Sequence, residues 1–335
     1  MDLLSNLALG FGTALTLTNI FYCFIGVLLG TLIGVLPGIG PLATIAMLLP
    51  ITYKLSDPTT ALIMLAGIYY GAQYGGSTTA ILVNLPGEIS SVVTTLDGYQ
   101  MARQGRPGAA LSIAAIGSFV AGSVATLLIA GFAPPLAEVA FKFGPAEYFS
   151  LMVLGLIAAV VLAHGSILKA LAMVVLGLLI GMVGTDVNSG VARFSFDIPE
   201  LTDGIELAAV AMGIFGFGEI IVNLEQRDNR EVFTRSVGRL LPSMAEFKAS
   251  IAPIIRGTAL GSFLGILPGG GAVLASFTSY AVEKKISKTP ERFGKGAIEG
   301  VAGPESANNA GAQTSFIPML TLGIPTNAVM ALMVA

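Results

Sequence analysis

The chain has 335 residues, of which 54% are hydrophobic and only 11% charged, with 42 glycines and a mean hydropathy of +0.83. Such a composition excludes an ordinary soluble domain and describes a polytopic, all-α membrane protein. The net charge of -3, a single cysteine (Cys23) and a single histidine (His164) exclude a disulfide framework and a cysteine or histidine metal centre, and give no reason to expect nucleic acid as a partner.

The first residues, Met1-Asp-Leu-Leu-Ser-Asn, lack the basic region of a signal peptide, so the first apolar run is expected to stay as a membrane segment. From about Ala14 to Leu55 the chain is nearly uncharged and is cut at Pro37 to Pro41, within Gly34-Val-Leu-Pro-Gly-Ile-Gly40. Proline removes a backbone donor and glycine the side chain, so a helix is expected to stop and restart there. From Pro58 the pattern repeats: apolar helix to about Tyr70, a predicted loop at Gly75-Gly-Ser-Thr-Thr79, and a further break at Leu85-Pro-Gly87. Asp97 to Gly108 reads as a polar loop carrying Arg103 and Arg106. Four plainer apolar segments follow, near 109–134, 146–163, 166–184 and 205–223, each long enough to cross the hydrocarbon core.

The opening pattern then returns. Gly265-Ile-Leu-Pro-Gly-Gly-Gly271 echoes the first break, Gly311-Ala-Gln-Thr-Ser315 the second, and Ile324-Pro-Thr-Asn327 the third. The chain is therefore read as a duplication: a first transmembrane repeat over 1–225, with broken-helix hairpins at about 14–96 and plain spans at about 109–223, and a second repeat over 226–335. Having no counterpart of the plain spans, the second repeat is expected to be truncated.

Basic residues orient the spans. Arg103 and Arg106 precede the first plain span, and Arg227, Arg230, Arg235, Arg239, Lys248 and Arg256 follow the fourth, so both stretches should be cytoplasmic. The loop from Thr185 to Gly204 carries Asp186, Asp197, Glu200 and Asp203 against Arg193 and should face out, while the lysine-rich loop from Glu283 to Lys295 should face in. The two repeats then start on opposite sides, the inverted topology of secondary transporters with re-entrant hairpins.

Irregular backbone at membrane depth survives only where protein buries it or it lines a watery cavity. Helix restarts after Gly40, Gly76, Gly271 and Gly311 would aim free N–H groups and positive dipole ends at an anion. The candidate ligand set is Gly38, Gly40, Gly76, Ser77, Thr78, Gly269, Gly271, Thr314 and Ser315, with amides from Asn84, Asn308 and Asn309. Thr79, Glu88 and Glu305 are candidates for coupling to Na+ or H+, and no other cofactor or metal is expected. The competing reading is that the small residues only permit close helix packing. Gly294-Lys295-Gly296 lacks the hydroxyl of a phosphate-binding loop, and neither His-Glu-x-x-His nor Gly-x-Ser-x-Gly occurs, so neither an ATP motor nor a hydrolase is encoded.

Gly34-Val-Leu-Pro-Gly-Ile-Gly-Pro41, Tyr70-Gly-Ala-Gln-Tyr-Gly-Gly-Ser77, Asn84-Leu-Pro-Gly-Glu88, Asp97-Gly-Tyr-Gln-Met-Ala102 and Gly303-Pro-Glu-Ser-Ala-Asn-Asn-Ala310 closely resemble the large membrane subunit of tripartite tricarboxylate transporters, the TctA family. The resemblance covers essentially the whole chain. It implies a multi-pass carrier of the bacterial inner membrane that takes citrate or related carboxylates from a periplasmic solute-binding protein, works with a small four-span membrane subunit, draws on an ion gradient and could form a homodimer. A passive anion channel, or a nontransporting scaffold for partner subunits, is the alternative. Thr326 departs from the pattern, since family members usually carry glycine after the corresponding proline.

Overall fold

The computed structural model describes residues 3–36, 39–140, 166–186, 191–202, 239–267 and 271–334, with isolated positions at 142–160 and 204–221. Among these the regular secondary structure is helical apart from one two-residue antiparallel pairing, Gly184–Thr185 with Ala192–Arg193. The long helices are α1 (Leu3–Ala14), α2 (Leu17–Gly34), α3 (Pro41–Thr52), α4 (Pro58–Val83), α5 (Pro107–Ala140), α6 (Ile167–Gly181), α7 (Met244–Gly265), α8 (Gly271–Ile286) and α9 (Glu299–Thr314). Two seven-residue helices follow, α10 (Phe316–Leu322) and α11 (Ala328–Val334). Among the described residues, two helices are long and apolar enough to cross a membrane by length and composition, over Leu17–Gly34 and Pro107–Pro135. Large apolar side chains stand exposed, such as Phe119 at 76% and Leu168 at 77%, a surface that suits lipid rather than water. The plain spans expected near 146–163 and 205–223, His164 and most of the basic stretch after them lie largely outside the described residues.

The order and pairing of α2–α3–α4 recur in α7–α8–α9. Gly26, Gly30 and Gly34 of α2 press against the backbone of Met64, Ile68 and Ala72 in α4, so close that a Cβ at any of them would collide with a carbonyl. Gly257, Gly261 and Gly265 of α7 do the same against Gly303, Ala307 and Gly311 of α9. Small residues four apart form one stripe along a helix and let two backbones touch, which is how helices associate when lipid removes the hydrophobic drive. The pairing also sets the register between the copies. Asn84 at the end of α4 and Gly323 at the end of α10 both adopt left-handed φ, at 59° and 67°, and each is followed by a Pro-containing turn.

This register corrects one sequence expectation. Gly75 to Thr79 is no loop: α4 runs unbroken through it, and α9 likewise runs through Gly311 to Thr314. Gly75 is small because a Cβ there would meet Gly34 C and Val35 N at 2.7 Å. Helical hydrogen bonds are kept because nothing at that depth replaces them. The helices stop instead where proline intervenes, at 35–40, 84–88, 266–270 and 323–327.

Asp97 to Gly108 is a solvated loop only at Arg103 to Gly105, which are exposed; the stretch before them is helical and largely buried. Thr95–Tyr99 forms a π-turn leading into a helical turn at Gln100–Arg103, and Asp97 is fully buried. Its Oδ1 accepts N–H bonds from Gly294 (2.9 Å), Gly296 (2.8 Å) and Ala297 (2.8 Å), and its Oδ2 accepts the Tyr280 hydroxyl at 2.9 Å. Glu283, expected in the loop after α8, is inside that helix and buried, paired through both oxygens with Arg256 at 2.8 and 2.6 Å. At the start of α4, the Thr60 hydroxyl and the Thr59 N–H hold the Asp57 carboxyl below its usual range.

The core joins the two halves of the sequence. One cluster packs Ile45, Leu49, Met64 and Ile68 against Ala312, Phe316, Met319 and Met330; another packs Ile81, Met101 and Ile113 against Ile254, Ile298 and Val301.

Gly261→Leu should cost about 3 kcal/mol or more, because the clash is with backbone that cannot move aside. Gly122→Leu, where nothing lies within 4 Å, should be neutral. Thermal unfolding in detergent checks both. In the same assay Asp97→Ala should lose about 3 kcal/mol, because it strands buried N–H groups, and Asp97→Asn less.

Candidate functional site

The broken segments meet at a cavity of about 520 Å³, within the range of small-molecule sites. Gly40 to Ala43 at the start of α3 and Gly271 to Val273 at the start of α8 form two walls, Gly87 to Ser90 a third, Asn327 to Val329 a fourth, and Tyr69 and Gln73 of α4 reach in from behind. The local chemistry explains the placement. Gly40 caps α3 in an extended conformation with Pro41 at its first position, and Gly271 opens α8 with φ of +42°, a conformation that favours glycine. The first N–H groups of each helix have no partner within the helix, and its positive dipole end faces the same space.

No Lys, Arg or His lines the cavity among the described residues, and Glu88 is the one carboxylate there. Its Oε1 accepts Asn308 Nδ2 at 3.3 Å, and Asn308 Oδ1 accepts Gln73 Nε2, also at 3.3 Å. Asn308 is fully buried on α9 and so ties the second half of the chain to the cavity wall made by the first.

The segment Gly300–Ala310, read from sequence as polar and near the membrane, is helical and buried from end to end. Behind the cavity, Glu305 is 2% exposed and spends both carboxylate oxygens on hydroxyls, Oε2 on Ser77 at 2.8 Å and Oε1 on Thr94 in a short hydrogen bond. Asn309 turns elsewhere, donating to Ser118 Oγ at 2.7 Å and to Glu305 O at 3.0 Å.

Of the residues singled out from sequence, Gly40, Gly271 and Glu88 line the cavity, and Asn308 braces it from behind. Gly38 and Gly269 lie outside the described residues. Gly76 supports the wall, its carbonyl accepting Gly87 N–H at 3.4 Å. Ser77 holds Glu305. Thr78, Thr79 and Thr314 bond back to carbonyls of their own helices, and Ser315 to Gly311 O and Gly265 O. Asn84 is exposed and ends α4. The helix restarts expected after Gly76 and Gly311 do not exist, so no free N–H groups arise there.

Sequence reasoning missed Gln73, Ser90, Asn327 and Tyr69 as lining residues. Asn327 had a signal, since in the echo of Leu85-Pro-Gly-Glu88 it stands where Glu88 stands. Thr326 falls at the position of Gly87, where a Cβ would overlap Gly76; in the second copy the side chain is accommodated and 3% exposed.

The model of the tripartite tricarboxylate transporter TctA family matches residues 20–335. An uncharacterized 52.8 kDa protein in the TAR-I ttuC' 3' region of Agrobacterium vitis is 66% identical over 334 residues, covering 100% of this chain and 66% of its own length. An uncharacterized protein in the TAR-II ttuC' 3' region of the same organism is 77% identical over 74 residues, 22% of this chain and 31% of its own length. The chain thus spans less than two thirds of the length of the curated relatives it matches. No solved structure matches it. With its apolar helices, its glycine-packed pairs and a family match over nearly its whole length, this is a membrane protein that belongs to the tripartite tricarboxylate transporter TctA family, a family of transporter components rather than enzymes.

Proposed function

We propose that this chain is the large membrane subunit of a binding-protein-dependent tripartite transporter that imports tricarboxylates or related organic carboxylates across the bacterial inner membrane, driven by a cation gradient. One observation carries the reading: the starts of α3 and α8, at corresponding positions of a repeated sequence, open on the same cavity. Two helix N-termini converging on one space favour a negatively charged ligand at membrane depth.

The repeat then works as an inverted pair, with α2–α3–α4 and α7–α8–α9 packed as two arms around the cavity and rocking against each other to expose it alternately. Glycine contacts keep each arm rigid, since backbone resting on backbone leaves no side chain to rearrange. A periplasmic solute-binding protein delivers the carboxylate, and a small four-span membrane subunit completes the assembly. In this reading Gly40 and Gly271 supply ligand-facing backbone, Asn308 positions the wall, and Ser77, Thr94 and Glu305 support it without touching the ligand.

The test is uptake of radiolabelled citrate into vesicles containing the intact protein and its two partner subunits, with and without a sodium gradient. Ala328→Trp, at an exposed position on the cavity wall, fills the space without disturbing the core and should cut gradient-driven uptake at least about tenfold at unchanged expression. Unchanged uptake in that variant would remove the cavity from the transport path. Uptake indifferent to any gradient would point to a passive channel, and none in any variant to a scaffold.

A further inference from the structure

A second pocket, of about 340 Å³, opens at the end of α8 opposite to the cavity. One side of it is apolar, made by Ala249, Ala252 and Pro253 of α7 with Ile286 and Phe293. The other side carries three cations, Arg256, Lys288 and Arg292, against two carboxylates, Glu283 and Glu299. Both carboxylates are already engaged. Glu283, buried on α8, accepts Nε and Nη2 of Arg256, and Glu299 accepts Nη2 of Arg292, whose Nε donates to the Thr289 hydroxyl. These bonds fix the two guanidinium groups in place, yet their side chains stay 39% and 50% exposed. Nη1 of each, and the Lys288 ammonium, have no partner among the described residues. Phe293 is held from behind by Tyr280, edge to face at 5.5 Å between ring centroids.

The pocket lies where the surface changes character. Along α7 and α8 towards the cavity, Ile255, Phe263 and Phe277 stand exposed, a face that suits lipid tails. Around the pocket itself stand Lys284, Lys285 and Lys295, all exposed, and residues 283–299 hold five basic side chains against three acidic ones. This is the pattern of a boundary between hydrocarbon and water. The lysine-rich side of a membrane protein is the cytoplasmic side, where the leaflet carries anionic lipid.

We propose that this pocket binds the headgroup of one anionic phospholipid of the cytoplasmic leaflet, with its phosphate against Arg256, Lys288 and Arg292 and the start of its acyl chains against Ala252, Pro253 and Ile286. Guanidinium groups match phosphate oxygens in geometry as well as charge, and here they are set in advance by their carboxylate partners. The lining residues carry one positive charge in excess, which a singly charged phosphodiester neutralises. A zwitterionic headgroup brings its own cation and gains less, and a free phosphate leaves the apolar wall uncovered. The bound lipid bridges α7 to the 286–293 segment that leads into α9. The site stands apart from the cavity between the helix breaks and does not depend on what that cavity carries.

The test is a titration of the purified intact protein in detergent with phosphatidylglycerol, and with phosphatidylcholine of the same chains, the bound lipid being counted by native mass spectrometry. The wild type should hold one phosphatidylglycerol at least about tenfold more tightly than phosphatidylcholine. Lys288→Glu, at an exposed side chain with no partner to strand, and Ala252→Asp, which sets a carboxylate on the apolar wall, should each weaken phosphatidylglycerol binding at least about fivefold. Lys285→Glu makes the same charge change outside the pocket lining and should leave that affinity within about twofold. Circular dichroism of the three variants should match the wild type, which separates loss of the site from loss of the fold. The proposal falls if the wild type does not distinguish the two lipids, or if Lys288→Glu binds phosphatidylglycerol like the wild type. It falls equally if Lys285→Glu loses as much as Lys288→Glu, which would make the attraction a property of the whole basic surface, or if millimolar inorganic phosphate displaces the lipid, which would make the pocket a site for a soluble anion.

Discussion

Backbone touching backbone at Gly26, Gly30 and Gly34, and again at Gly257, Gly261 and Gly265, is the contact on which the rest of the structure depends. Lipid tails are as apolar as leucine, so helices in a membrane gain little by hiding apolar side chains from one another and gain instead by close approach. Each stripe ends at the same point, just before a Pro-Gly break. The register of the pair therefore decides where the next helix starts, and α3 and α8 both start at the cavity. A helix shifted by one turn would move its start by about 5.4 Å and close the space.

Polar groups are the second constraint. α9 carries Glu305, Asn308 and Asn309 through the buried centre of the molecule, where each needs a partner. Ser77 and Thr94 satisfy Glu305, Ser118 takes Asn309, and Asn308 is divided between Gln73 and Glu88. Every one of these partners comes from the first half of the chain, so the second half is positioned by polar bonds as well as by packing. Asp97 adds a further tie by gathering backbone N–H groups from 294–297.

Thr326 illustrates how far the two copies diverge within a shared frame. Gly87 sits against Gly76 with no room for a side chain, whereas Thr326 carries one and stays buried. Glu88 and Asn327 then offer a carboxylate on one side of the cavity and an amide on the other.

Composition and hydropathy alone determined that the chain is an all-α membrane protein, because so few charges and so many apolar residues leave no soluble alternative. The Pro-containing breaks were equally legible, since proline and glycine act locally and leave the same mark wherever they occur. Sequence was misleading at Gly75–Thr79 and Gly311–Thr314, where glycine means close approach within a continuous helix rather than a break; the two uses look alike until the neighbouring helix is in place. It set Ser77 against a ligand where the structure sets it against Glu305, and was silent on the partners of Asp97, because those bonds join residues hundreds of positions apart. Only the tertiary structure decided which of the small and polar residues line the cavity and which merely support it: facing is a property of helix pairing, and pairing is set by contacts that no local pattern records.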